Sequence, residues 1–149
     1  MSKKRDYRLY LLDIFIAINK IQRYTKEFKD ADSLRWNEMA WDATIRELEI
    51  IGEATRVLIE SDILENRKYR KIVDFRNIIA HGYFGLDEEE VFSVIQEKLT
   101  PFENELVSLI LDNNIPIEEA LLLAIEENTK IIALTQYLKK LNKRFKNAR

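Results

Sequence analysis

Apolar residues recur at helical spacing along most of the chain. Leu11, Ile14, Phe15, Ile18, Ile21 and Phe28, with charged residues between them, predict a first helix over about residues 6–28. Residues 29–33 are polar and read as a turn. A second long helix is expected over 36–59, with Met39, Ala43, Leu48, Ile51 and Leu58 turned inward. Gly52 sits inside it at a cost of about 1 kcal/mol relative to alanine, which close approach of another backbone would explain. Residues 61–66 break the pattern.

A third helix is expected from Asn66, as N-cap, to about His81, with Ile72, Phe75 and Ile79 as its apolar stripe. Gly82 and Gly85 then supply the left-handed conformation that ends helices. Asp87 with Glu90 three residues on has the form of a capping box, and four successive acids suit the positive end of a helix dipole. Val91, Val94, Ile95, Phe102, Leu106 and Ile110 continue the stripe. Pro101 interrupts it, with Thr100 and Glu103 available to cap a restart. After a turn at 112–116, Pro116 suits the first position of a last helix over 117–145, on which Leu121, Ala124, Ile131, Leu138, Leu141 and Phe145 lie near one face. Leu122, Leu123, Ile125, Ile132 and Leu134 widen that face. The pattern predicts an all-α fold: one antiparallel bundle of four to five helices with an extra C-terminal helix.

Composition agrees. In 149 residues, 46% are hydrophobic, enough for a real core, and only three glycines and two prolines occur, which argues against a turn-rich β fold. Cysteine is absent, so disulfides and thiolate metal sites are impossible and nothing points to secretion. The apolar stretch 9–18 follows Lys3, Lys4 and Arg5 but contains Asp13 and precedes no small-residue cleavage site, so it is not read as a signal peptide. No apolar run spans a bilayer, and a soluble cytoplasmic protein without a membrane partner is expected.

The formal charge of −2 conceals an asymmetry. Residues 87–127 hold twelve acids against Lys98 alone, a balance of −11, which leaves +9 on the rest. Lys139, Lys140, Lys143, Arg144, Lys146 and Arg149 crowd the last eleven residues, and Arg67, Lys68, Arg70 and Lys71 form a second basic cluster. Each cluster reads as a solvated helix face or a local site for phosphates.

With one histidine, no cofactor and no metal are expected; the acids at 87–90 are explained by their place at a helix start. Gly82 and Gly85 have the wrong spacing for a phosphate loop. Chemistry is left to the segment holding Arg76, Asn77, His81 and Tyr83. A lone histidine at a helix end is ordinarily a cap or a packed ring. In this company it also suits metal-free RNA cleavage. Imidazole, whose ordinary pKa lies nearest neutrality, can take the proton of a 2′-hydroxyl attacking the adjacent phosphorus. A guanidinium meets the charge that develops on the phosphoryl oxygens. The products would be a 2′,3′-cyclic phosphate and a 5′-hydroxyl. Residues five apart on a helix differ by about 140°, so Arg76 and His81 do not share a face, whereas Asn77 and His81 do. One histidine also cannot act as base and acid at once. A symmetric dimer that brings two copies of the segment to one cleft resolves both difficulties.

Arg76 and His81 with four residues between them, followed by Tyr83, resemble the Arg-x4-His-x-Tyr motif of HepT-type toxins in the HEPN superfamily. Residues 45–54, Ile-Arg-Glu-Leu-Glu-Ile-Ile-Gly-Glu-Ala, resemble that family's preceding helix, and residues 5–14, Arg-Asp-Tyr-Arg-Leu-Tyr-Leu-Leu-Asp-Ile, its usual start. The likeness covers about residues 4–110. It implies a HepT-like domain over 1–111, with 112–149 a helical extension packed on or beside it. It also implies a homodimeric, metal-independent endoribonuclease acting on RNA (tRNA or mRNA) with Arg76 and His81 as the catalytic pair. It further implies the toxin role in a type VII toxin–antitoxin system, whose partner is an MntA-type nucleotidyltransferase antitoxin, free to join the dimer in a higher hetero-oligomer. That partner would transfer AMP to Tyr83, where the added anion repels RNA. Asn77, Arg46 and Glu53 are the supporting candidates. Arg46, Glu49 and Glu53 lie near one face of the second helix and either line the cleft or form a solvated or salt-bridged group. The extension could pack on the bundle, enlarge a dimer interface, cover the site or hold RNA. A rival reading, a non-catalytic HEPN module that only binds and supports the nucleotidyltransferase, is set against retention of Arg76, His81 and Tyr83 together.

Overall fold

A computed structural model describes residues 4–81 and 86–149. Among the described residues there are eight α-helices and no strand: α1 Tyr7–Thr25, α2 Ala31–Arg35, α3 Glu38–Glu60, α4 Asn66–Ala80, α5 Glu88–Glu97, α6 Leu99–Asp112, α7 Glu118–Glu127 and α8 Ile132–Asn147. The helical class is as expected, and the higher count comes from the break expected near Pro101 together with a second break and one short helix that hydrophobic spacing does not reveal.

The short helix is α2, where a turn was expected at 29–33. The Asp30 carboxylate accepts from Ser33 N (2.8 Å) and the Ser33 hydroxyl donates back to Asp30 O (3.0 Å), which starts one turn of helix. One break falls at Lys98, between α5 and α6, three residues before Pro101. Thr100, expected as a cap there, instead accepts from Gln22 of α1 (3.2 Å). The other break splits the predicted last helix. The Asn128 amide donates to Ala124 O (2.7 Å) and the Thr135 hydroxyl to Asn128 O (2.6 Å), so side chains take up the carbonyls at the junction of α7 and α8.

The second break redirects the wide apolar face. Leu121, Ala124, Leu134, Leu138, Leu141 and Phe145 are buried, but Leu122, Leu123, Ile131 and Ile132, expected inward, are exposed. Met39 is likewise 85% exposed rather than inward, because it falls in the first turn of α3 before the helix meets the core. Pro116 lies two residues before α7, its carbonyl accepting from Arg8 (3.1 Å). Asn66 is the first helical residue of α4, with Glu65 in the N-cap position and no side-chain cap bond. Asp87 caps α5 as expected, accepting from Glu89 N (2.9 Å).

The core runs through every layer. α3 packs between α1 and α4, and α6, α7 and α8 close over α1. Phe15 of α1 and Phe145 of α8, both fully buried, meet edge to face with centroids 6.4 Å apart. Asp62 (φ 60°) and Asn114 (φ 51°) end α3 and α6 in the left-handed region. There Ile63 N donates to Leu58 O and Ile115 N to Ile110 O (both 2.9 Å), the bonds that close a Schellman turn. Asn and Asp tolerate this conformation better than other non-glycine residues. Among the described residues no helix is long and apolar enough to cross a membrane.

Candidate functional site

The site is built where α3 and α4 cross. Gly52 is buried on α3 against Arg76 of α4, and the absent side chain lets the stem of Arg76 lie directly on the α3 backbone. This is the close approach that the glycine within the long helix suggested. Arg76 is held there by its own helix and by α3 together. Its Nη1 donates to Asn77 Oδ1 (3.3 Å), and its Nη2 lies 3.6 Å from Glu53 Oε2. Its Nε is buried and has no hydrogen-bond partner. About a third of the Arg76 side chain (31%) remains exposed.

Glu53 serves two arginines. Arg56 Nε donates to Glu53 Oε2 (3.2 Å), Arg56 Nη2 bonds Glu53 Oε1, and Arg56 Nη1 donates to Glu60 (2.7 Å). The Arg56 hydrogen bond, and then the charges of Arg56 and Arg76, hold the Glu53 carboxyl below its ordinary range against the opposing effect of partial burial. Glu53 thus stays an anion to lower pH than a free glutamate does. Arg56 was missed in the sequence, although the spacing of Glu53, Arg56 and Glu60 (three and four residues) is that of a helical ion-pair ladder.

His81 caps the C-terminus of α4 and is exposed; its N–H donates to Asn77 O (3.1 Å). Asn77, four residues before it, lies on the same side of the helix and also accepts from Arg76. The Asn77 side chain thus holds Arg76, while its backbone carbonyl takes the helix-ending bond from His81 N. Arg46 is exposed on α3, on the same line of the helix as Glu53 and about 10 Å nearer its start. Glu49, between them, is half-buried. Tyr83, with Gly82 and Gly85, lies outside the described residues. The structure thus groups Glu53, Arg76 and Asn77, sets His81 one turn beyond, and leaves Arg46 apart. Among the described residues no group of three or more acids or histidines is placed to hold a metal ion.

The all-helical bundle is consistent with the HEPN type of fold. Residues 14–109 match the family "Ribonuclease HepT-like", and the chain belongs to it. It is 36% identical over 106 residues to "Putative RNase MJ1380" of Methanocaldococcus jannaschii, covering 69% of this chain and 95% of that protein. It is 31% identical over 109 residues to "Probable ribonuclease HepT" of Thermococcus cleftensis, covering 71% of this chain and 97% of the relative. No solved structure matches at a comparable level. The family match ends within α6, so α7 and α8 lie beyond it.

Proposed function

We propose that the chain is a metal-independent endoribonuclease, the toxin of a toxin–antitoxin pair, with Arg76 and His81 as its catalytic groups. The observation that carries this reading is the Arg76 guanidinium, clamped between Glu53 and Asn77 one turn from an exposed histidine, in a member of a ribonuclease family. A guanidinium fixed before substrate arrives costs little reorganisation when charge develops on the phosphorane oxygens. His81 removes the 2′-hydroxyl proton; the oxygen attacks phosphorus, the 5′-oxygen leaves, and a second proton donor returns hydrogen to it. Two subunits related by a twofold axis supply that donor as the partner's imidazole. Asn77 and Glu53 orient the guanidinium, and Arg46 offers a further cation to the RNA strand, either tRNA or mRNA.

In the same reading an MntA-type nucleotidyltransferase antitoxin silences the site by transferring AMP from ATP to the Tyr83 hydroxyl, with release of pyrophosphate. The added phosphate anion then competes for Arg76 and repels RNA. The test is expression in a bacterial host. The native chain should arrest growth, and His81→Ala and Arg76→Ala should each relieve the arrest while accumulating as folded protein. Undiminished toxicity of both variants would remove the catalytic assignment.

A further inference from the structure

α8 separates its apolar and charged residues around its axis. Leu134, Leu138, Leu141 and Phe145 are buried, while Lys139, Lys140, Lys143 and Lys146 are exposed. At 100° per residue the four lysines fall within an arc of about 120° opposite the buried stripe. Lys143 and Lys146 lie about 6 and 10 Å along the axis from Lys139. None of the four pairs with a carboxylate among the described residues. The neighbouring arginines are occupied. Arg144 donates to Asn104 Oδ1 (3.0 Å), and Arg149 pairs with Glu118 (2.6 Å) and donates to Ile115 O (2.9 Å).

The lysines stand on a fixed helix. The Tyr137 hydroxyl donates to Glu103 of α6 (2.6 Å), and Phe145 is locked against Phe15. Asn104, which holds Arg144, adjoins Glu105, which lies 3.7 Å from Lys68 of α4. α6 thus ties α8 through Glu103 and Asn104, and α4 through Glu105.

We propose that this face of α8 binds the sugar–phosphate backbone of RNA. The choice of RNA over another polyanion rests on the ribonuclease reading above; the phosphate chemistry rests on the lysines. A bilayer would need a broad apolar face, whereas Leu134, Leu138, Leu141 and Phe145 are inside the core and Ile132 alone of the large apolar residues of α8 is exposed. The aromatic residues of α8, Tyr137 and Phe145, face the protein and offer no platform for bases. The contact is then electrostatic and independent of sequence, adding hold on the substrate away from the cleavage centre.

The test uses the full-length His81→Ala protein and fluorescein-labelled bulk tRNA, with anisotropy followed across a salt series. Replacing the four lysines by glutamine should lower the slope of log affinity against log salt by about 3 and weaken binding by roughly tenfold or more. Circular dichroism and melting temperature should not change. The milder pair Lys139→Gln and Lys143→Gln should lower the slope by about 1.5. Unchanged affinity and slope overturn the proposal, as does a variant that binds RNA normally but loses its nucleotidyltransferase partner, which would make the face a protein contact. Cleavage by the chain with His81 intact is read in parallel. Lysine-dependent binding without cleavage would sink the nuclease reading and leave this face standing.

Discussion

A β-carbon placed on Gly52 would lie 2.1 Å from Cβ and 2.5 Å from Cγ of Arg76, so α3 and α4 meet where neither backbone leaves room for another side chain. The atoms it would strike belong to the root of the arginine, which cannot swing aside without moving α4. Gly52→Ala therefore sets about 1 kcal/mol of improved helix propensity against an overpacking cost of about 1–3 kcal/mol. We expect a net loss of stability and a drop in RNA cleavage of roughly tenfold or more, since a small displacement of a positioned group costs rate steeply. A variant that melts higher and cleaves normally would show that the crossing does not position Arg76.

Glu47 of α3 is buried, with Lys20 of α1 4.0 Å away. Burial raises its carboxyl above the ordinary range, with Lys20 and then Arg46 pulling it down less strongly. The folded state then holds this proton more tightly than the unfolded chain does. Its contribution to stability falls as pH rises from the unfolded value through the raised folded one. Glu47→Gln should thus melt higher than the native chain at neutral pH. The advantage should vanish in acid, where both states carry the proton. Equal melting temperatures at neutral pH would contradict the direction of the shift.

Phe145 ties the C-terminal helix to the family domain through Phe15. Phe145→Ala should cost about 3–5 kcal/mol, read as a lower urea midpoint with an unchanged slope. A loss below about 1 kcal/mol would mean that α8 contributes little to the fold.

For the antitoxin reading, incubation with ATP and the partner nucleotidyltransferase should add adenylate mass at Tyr83 and silence cleavage. Tyr83→Phe should remain unmodified and active in the same mixture. Modification and silencing of the phenylalanine variant would move the target elsewhere.

The parts legible in the sequence are those set by local spacing. The stripes of α1, α3 and α4 stood out because apolar and charged residues alternate at one period over four or more turns. The end of α4 at His81 was marked by the following glycine. The junction of α7 and α8 was not legible: residues 128–131 contain neither glycine nor proline, and apolar residues at 121–125 and 131–134 continue the helical period across them. There the break depends on hydrogen bonds from Asn128 and Thr135 that form only once the segment folds back. The same division holds in the site. The spacing of Arg76, Asn77 and His81 could be read directly, and Gly52 was visible as an anomaly. Its counterpart, Arg76, comes from another helix. Arg56 gains its place in the site only through Glu53, which it shares with Arg76 across the α3–α4 crossing.

The central claim is that one imidazole and one fixed guanidinium cut RNA without a metal. Purified protein incubated with total RNA in excess EDTA tests it most directly, with termini analysed by end-labelling. The account predicts fragments ending in 2′,3′-cyclic phosphate and beginning with a 5′-hydroxyl, and intact RNA with folded His81→Ala. Cleavage that requires added magnesium, or that continues in the absence of the imidazole, would contradict it.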